Sequence, residues 1–164
     1  MGEKADTIGR INQWRYPLSS KASSSPAGPE LLKRAMQTAR ASYDRCCAAP
    51  DFLLCFYRNF FKNCPDVEPM FANTDFRRQH DLLRHAIGLL LIFPGHSDGE
   101  PTVLSRVAER HSRRDLNIDP KHYPGFVESL VETVREHDPD FTAQVEEAWR
   151  HTVAPGIAYM RSHH

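Results

Sequence analysis

The sequence predicts an all-α fold of about seven helices, and three observations carry that expectation. Apolar residues recur three and four positions apart, the period of a helix buried along one face. Asp-Pro pairs, other prolines and Pro-Gly steps break the chain at helical intervals. No segment alternates apolar and polar residues between hairpin turns as strands would. The length of 164 residues suits one domain, and an apolar fraction of 40% is enough to build a core.

The elements follow in chain order. Residues 1–26 read as an N-terminal extension, flexible or partly helical, with a Ser-rich stretch from Ser19 to Pro26. Pro29 suits a first helical turn, and Leu31, Leu32, Met36, Ala39 and Tyr43 share one face of a helix over 30–48. After Ala49-Pro50, the residues Phe52, Leu53, Cys55, Phe56, Tyr57, Phe60 and Phe61 make a helix over 51–62 that is apolar on most sides. Such a helix is buried on most sides. Cys64-Pro65 and Glu68-Pro69 frame a short turn ending at Met70-Phe71. Thr74 or Asp75 can cap a helix reaching about Phe93, striped by Phe76, Gln79, Leu83, Ile87, Leu90 and Leu91. The loop 94–100 breaks the chain, and Pro101 starts a helix carrying Leu104, Val107, Ala108 and His111. Asp119-Pro120 starts the next, with Tyr123, Phe126, Val127, Leu130, Val131 and Val134. Asp138-Pro139 repeats that signal for the last helix, which Pro155-Gly156 should kink.

Composition excludes several classes of function. Lys plus Arg and Asp plus Glu both count 21, so no basic surplus exists for phosphate contacts or an anionic membrane surface. No nucleic acid is expected as a partner. No apolar run reaches the roughly 20 residues of a membrane span, and the N-terminus lacks the apolar core of a secretory signal. A cytoplasmic chain is therefore expected, with Cys46, Cys47, Cys55 and Cys64 as free thiols. The cysteine and histidine spacings do not resemble a zinc site. The nine histidines are an excess for a neutral chain: His96, His137 and His151 are expected in loops or on polar faces, and His163 and His164 in the tail.

Two apolar stripes each carry one polar residue where the pattern wants a hydrophobe: Gln79 and His111. A polar group facing a core needs a partner. A hydrogen-bonded structural residue is the plain reading of either. Spacing offers another. Gln79 lies about 21 Å of helix from Phe93, and His111 about 15 Å from Pro101. Antiparallel helices would set the two opposite each other, with a flat ligand between them and the imidazole on a central metal. His122, in a first helical turn, is the less favourable rival ligand. His80 is a further candidate, as a sixth ligand, though turned about 100° from Gln79, and His85 reads as a surface or edge residue.

Several pieces then resemble the globins, in particular single-domain bacterial haemoglobins and the haem domain of flavohaemoglobins. They are FYRNFF at 56–61, Pro65-x-x-x-Pro69-Met70-Phe71, Gln79-x-x-x-Leu83, HSRRDLNIDPKHY at 111–123, and Ala148-Trp149. The resemblance runs from about Pro29 to Met160 and implies a globin domain over 27–164 holding haem b. It implies His111 as the iron ligand, and Phe71, Leu83, Tyr123, Phe126 and Ile118 as residues around the cofactor. Tyr57 and Gln79 match the distal residues that stabilise bound gas. Arg78, Arg114 and Lys121 could meet the propionates or stay solvated. The glutamate that this group sets beside the proximal histidine is replaced near His163 or His164.

The resemblance implies reversible O2 binding for storage, delivery or scavenging, with NO, CO or peroxide as further ligands. Alternatives are NO dioxygenase or peroxidase chemistry, and a haem-based gas sensor or interaction protein. With no flavin or nicotinamide domain before His164, turnover is expected to need a separate reductase. A helical bundle without haem is the remaining rival.

Overall fold

A computed structural model describes residues 27–99 and 102–164. The expected extension over 1–26 and the expected helix start at Pro101 lie outside the described residues. Within them the secondary structure is helical. Helix α1 spans Ala27–Cys46, α2 Phe52–Asn63, α3 Phe76–Ile92, α4 Ser105–His111, α5 His122–His137 and α6 Ala143–Ser162. Two 3-10 segments, Pro65–Phe71 and Phe93–Gly95, link α2 to α3 and close α3. The Pro-rich turn expected at 64–71 is thus the first of these segments.

Local chemistry sets several of these boundaries. Asp75 starts α3, its carboxylate accepting from the backbone N–H groups of Arg77 and Arg78. Asp138 does not start α6 as Asp138-Pro139 suggested. Thr142 takes the cap, accepting from Val145 N at 3.3 Å. Asp138 is committed elsewhere: its carboxylate receives Arg45 Nε and Nη2 at 2.6 and 2.8 Å, together with the Ser42 hydroxyl. Trp149 Nε1 donates to Ser42 Oγ at 2.9 Å, so the network joins α1, the α5–α6 corner and α6. Burial alone would raise the Asp138 carboxyl, but the bonds from Arg45 and Ser42 hold it below its ordinary range. Helix α6 runs unbroken through Pro155.

The main packing pairs are α1 on α6 and α2 on α5. The second is unusually polar at its centre. Asn59 Nδ2 donates to Thr133 Oγ1 at 3.0 Å, and Asn63 Nδ2 to Ser129 Oγ at 3.1 Å. Ser129 and Thr133 in turn donate to the carbonyls of Gly125 and Ser129. Small residues four apart on α5 thus let α2 come close while satisfying the buried Asn59 amide and the more exposed Asn63 amide. The rim carries Arg58–Glu136 and Lys62–Glu132 ion pairs at 2.8 and 2.9 Å. Gly125 marks the tightest point, because a Cβ there would stand 2.0 Å from Cys64 Sγ.

Gly125→Ala is therefore expected to cost about 1–3 kcal/mol through overpacking, read as a lower urea midpoint. Adding Cys64→Ala should recover part of the loss, since it removes the clashing sulfur.

Candidate functional site

Helix α2 delivers Tyr57 and α3 delivers Gln79, and the two side chains meet. Gln79 Nε2 donates to the Tyr57 hydroxyl at 2.9 Å. Tyr57 is 4% exposed, so its hydroxyl is the polar end of a buried ring. Burial pushes that hydroxyl up to about 12, with the Gln79 bond pulling the other way, so it keeps its proton at neutral pH. Because Gln79 donates to the phenol oxygen, the phenol proton is left to serve another acceptor.

An aromatic cluster surrounds this pair. The Tyr57 ring lies 5.5 Å from Phe71, 5.3 Å from Phe76 and 5.8 Å from Phe61 between centroids. His80 stacks on it at 5.7 Å, and His80 Nε2 is buried without a hydrogen-bond partner. The turn from Gln79 to His80 thus brings the second side chain onto Tyr57 as well. Leu83, one turn further along α3, is in the core.

His111 stands at the end of α4. Its Nδ1 bonds the Val107 carbonyl at 2.8 Å, one turn back. That bond assigns the ring proton to Nδ1 and leaves the lone pair on Nε2. Burial lowers the imidazole's affinity for a second proton. After His111 the chain doubles back through Asn117, which adopts a left-handed φ of 48° that Asn tolerates. Ile118 N then bonds the His111 carbonyl at 3.0 Å.

His111 lines a cavity of about 80 Å³ with Ala86 and Leu90 of α3, Tyr123 and Phe126 of α5, and Ile157 and Met160 of α6. The Tyr123 hydroxyl is buried with no partner, and burial pushes it up to about 12. Gly156 makes the wall compact, since a Cβ there would stand 2.6 Å from Leu90 Cδ2.

The expected residues therefore fall into two groups. Tyr57, Gln79 and Phe71 share the aromatic cluster. His111, Tyr123 and Phe126 share the cavity, where His111 faces the Ala86–Leu90 turn of α3 and Gln79 is not part of the lining. Phe126 links the groups, 5.2 Å from Phe56, which lies 5.3 Å from Tyr57. Ile118 is half-buried and joins the site through its backbone bond to His111. His122 is buried 3.9 Å from Asp66, away from this lining. Lys121 pairs with Asp66 at 3.0 Å. The stacking of His80 on Tyr57 is the contact that sequence reasoning missed, because the aromatic rings around Tyr57 come from α2, the 3-10 segment and α3.

An all-helical chain with a neutral imidazole on an apolar cavity and a phenol–amide pair nearby defines a small helical protein that can hold an apolar cofactor through a nitrogen donor. The sequence pattern of the globin family matches residues 54–160. Over 105 residues the chain is 33% identical to a flavohaemoprotein of Vibrio cholerae serotype O1 (strain ATCC 39315 / El Tor Inaba N16961), covering 62% of this chain. The chain spans only 26% of that relative's length. A crystal structure from Pseudomonas aeruginosa PAO1, described as structurally highly homologous to a human haemoglobin, aligns with a TM-score of 0.73. It is 35% identical, over 79% of this chain and 97% of that one. The chain belongs to the globin family, whose cofactor is haem.

The buried phenol gives a pH-dependent observable. A group whose folded pKa is raised contributes stability below its unfolded value, near 10, and loses it as pH climbs through the folded value. The difference in tyrosinate absorbance between the wild type and Tyr57→Phe should accordingly stay flat through pH about 10 and rise only toward 12.

Proposed function

We propose that the chain holds haem b through His111 and binds O2 reversibly, for storage, delivery or scavenging in the cytoplasm. The observation that carries this reading is the His111 ring, whose Nδ1 is spent on the Val107 carbonyl beside an apolar cavity. A neutral imidazole held by such a bond is oriented as a metal ligand. The donor set fits the cofactor: one imidazole lone pair, apolar walls, and buried unpartnered polar atoms on His80 and Tyr123. The cavity is smaller than the roughly 300 Å³ at which ligand pockets begin, so a macrocycle needs α4 to stand further from α3. Helix α4, which ends at His111, is short, at seven residues.

Haem supplies the iron that takes up the gas. The chain supplies the surroundings. Tyr57 would offer its phenol proton to a gas ligand, and Gln79, which donates to the phenol oxygen, would hold that phenol in place and strengthen it as a donor. Each such bond contributes about 0.5–1.5 kcal/mol in ordinary settings and more in a dry pocket. Slow release and high affinity follow. Phe71, Leu83, Phe126 and Ile118 would keep water from the cofactor, and the buried Tyr123 hydroxyl would supply a hydrogen-bonding group beside His111.

The flavohaemoprotein relative favours a second reading, conversion of NO with a separate reductase as electron donor. Catalytic NO consumption by the oxygenated protein, when reductant is supplied, would support it.

His111→Ala is expected to abolish the Soret band that haem addition produces in the wild type. Tyr57→Phe is expected to retain that band and to speed O2 dissociation severalfold. An intact band in the first variant overturns the ligand assignment, and an unchanged rate in the second overturns the distal one.

A further inference from the structure

The start of α2 and the last turn of α5 bring three metal-ligating side chains together, on residues that the haem reading does not use. Asp51 Oδ1 lies 3.6 Å from His137 Nε2, and Asp51 Oδ2 lies 3.8 Å from Cys55 Sγ. One donor atom from each residue falls within 4.8 Å of the others. We propose that Asp51, Cys55 and His137 form a zinc site, with a fourth position open to water.

The donor chemistry points to that ion. A thiolate, an imidazole and a carboxylate are the ligand types of Zn²⁺, and three protein ligands plus water is a common coordination for it. Zinc bonds of 2.0–2.3 Å in a tetrahedron set the donors roughly 3.3–3.8 Å apart. Each Asp51 oxygen stands near that separation from one partner, Oδ1 from His137 and Oδ2 from Cys55, and with one donor per residue the set lies within 4.8 Å and draws together around the ion.

The imidazole is prepared for the role. His137 Nδ1 bonds the Thr133 carbonyl at 2.8 Å, which leaves the lone pair on Nε2, facing Asp51. Such a bond behind a ligating histidine fixes its tautomer and its aim. Phe52 holds the ring from the side, edge-on at 5.6 Å. With the ring proton on Nδ1, Nε2 and the Asp51 carboxylate present lone pairs to each other, and a cation between them satisfies both.

Burial gives the site an inner and an outer side. Cys55 is 7% exposed and the His137 side chain 10%, whereas the Asp51 side chain is 58% exposed. The ion can enter past Asp51 and meet sulfur and nitrogen behind it. Binding replaces the Cys55 S–H proton by the metal, and that proton goes to solvent with no change of oxidation state. The bound ion ties α2 to α5 at the end opposite Cys64 and Gly125.

The test uses the full-length, haem-loaded protein under thiol reductant, titrated with Zn²⁺ against a chromophoric chelator, with metal content measured after desalting. The expected result is one tightly held Zn²⁺ per chain. Asp51→Asn, Cys55→Ser and His137→Gln should each weaken it at least tenfold, while Cys47→Ser and the double variant His163→Gln/His164→Gln leave it unchanged. Asp51 is exposed, so its variant keeps the fold, which the far-ultraviolet circular dichroism and the Soret band verify. No retained zinc overturns the proposal. So does retention that is equal in the three ligand variants, or lost only in Cys47→Ser or the tail variant. The outcome is independent of the haem reading, because the two sites share no residue.

Discussion

The close packing of α2 on α5 is the constraint on which the rest of the molecule depends. It buries the amide of Asn59 and answers it with the Thr133 hydroxyl, while Asn63 at the exposed edge bonds Ser129. An unanswered buried amide is costly, so the two helices have one favourable register. That register fixes where Tyr57 stands on one side of α2 and where Cys55 stands on another. It also sets Phe126 against Phe56, and so connects the aromatic cluster to the cavity beside His111. The second constraint, the buried Asp138 carboxylate held by Arg45 and Ser42, locks α1 to the corner between α5 and α6.

Two histidines, His111 and His137, end helices in the same way: each spends Nδ1 on the carbonyl one turn back. Surroundings separate their uses. His111 meets an apolar cavity, which suits a cofactor with large apolar faces. His137 meets a carboxylate and a thiol, which suit a small cation. His80 has no such backbone bond, and its buried Nε2 is left beside the Tyr57 ring. The same side chain thus meets three different surroundings, set by which donors and acceptors the fold brings near it.

Helical class, most element positions and the apolar faces were readable because they depend on neighbours within a turn or two. Polar breaks in an apolar stripe singled out Gln79 and His111 in the same local way. The reading failed where a residue's partner is distant in the chain. Asp138-Pro139 looked like a helix start, but Asp138 is spent on Arg45, 93 residues away, and Thr142 caps α6 instead. His137 was expected in a loop or on a polar face, yet it is half-buried at the end of α5, 3.6 Å from Asp51, the residue that precedes α2. The antiparallel estimate set Gln79 opposite His111; His111 shares its cavity with Ala86 and Leu90 of α3, and Gln79 is not among the lining residues.

By itself, the sequence determined an all-α chain with a buried aromatic helix at about 51–62 and two core-facing polar residues, since helical period and turn chemistry are local properties. Tertiary structure alone decided that Gln79 donates to Tyr57, that the His111 ring lines an apolar cavity, and that Asp51, Cys55 and His137 converge. Those are contacts between helices, and their distances follow from the register and depth of helix packing, which no stretch of sequence specifies alone.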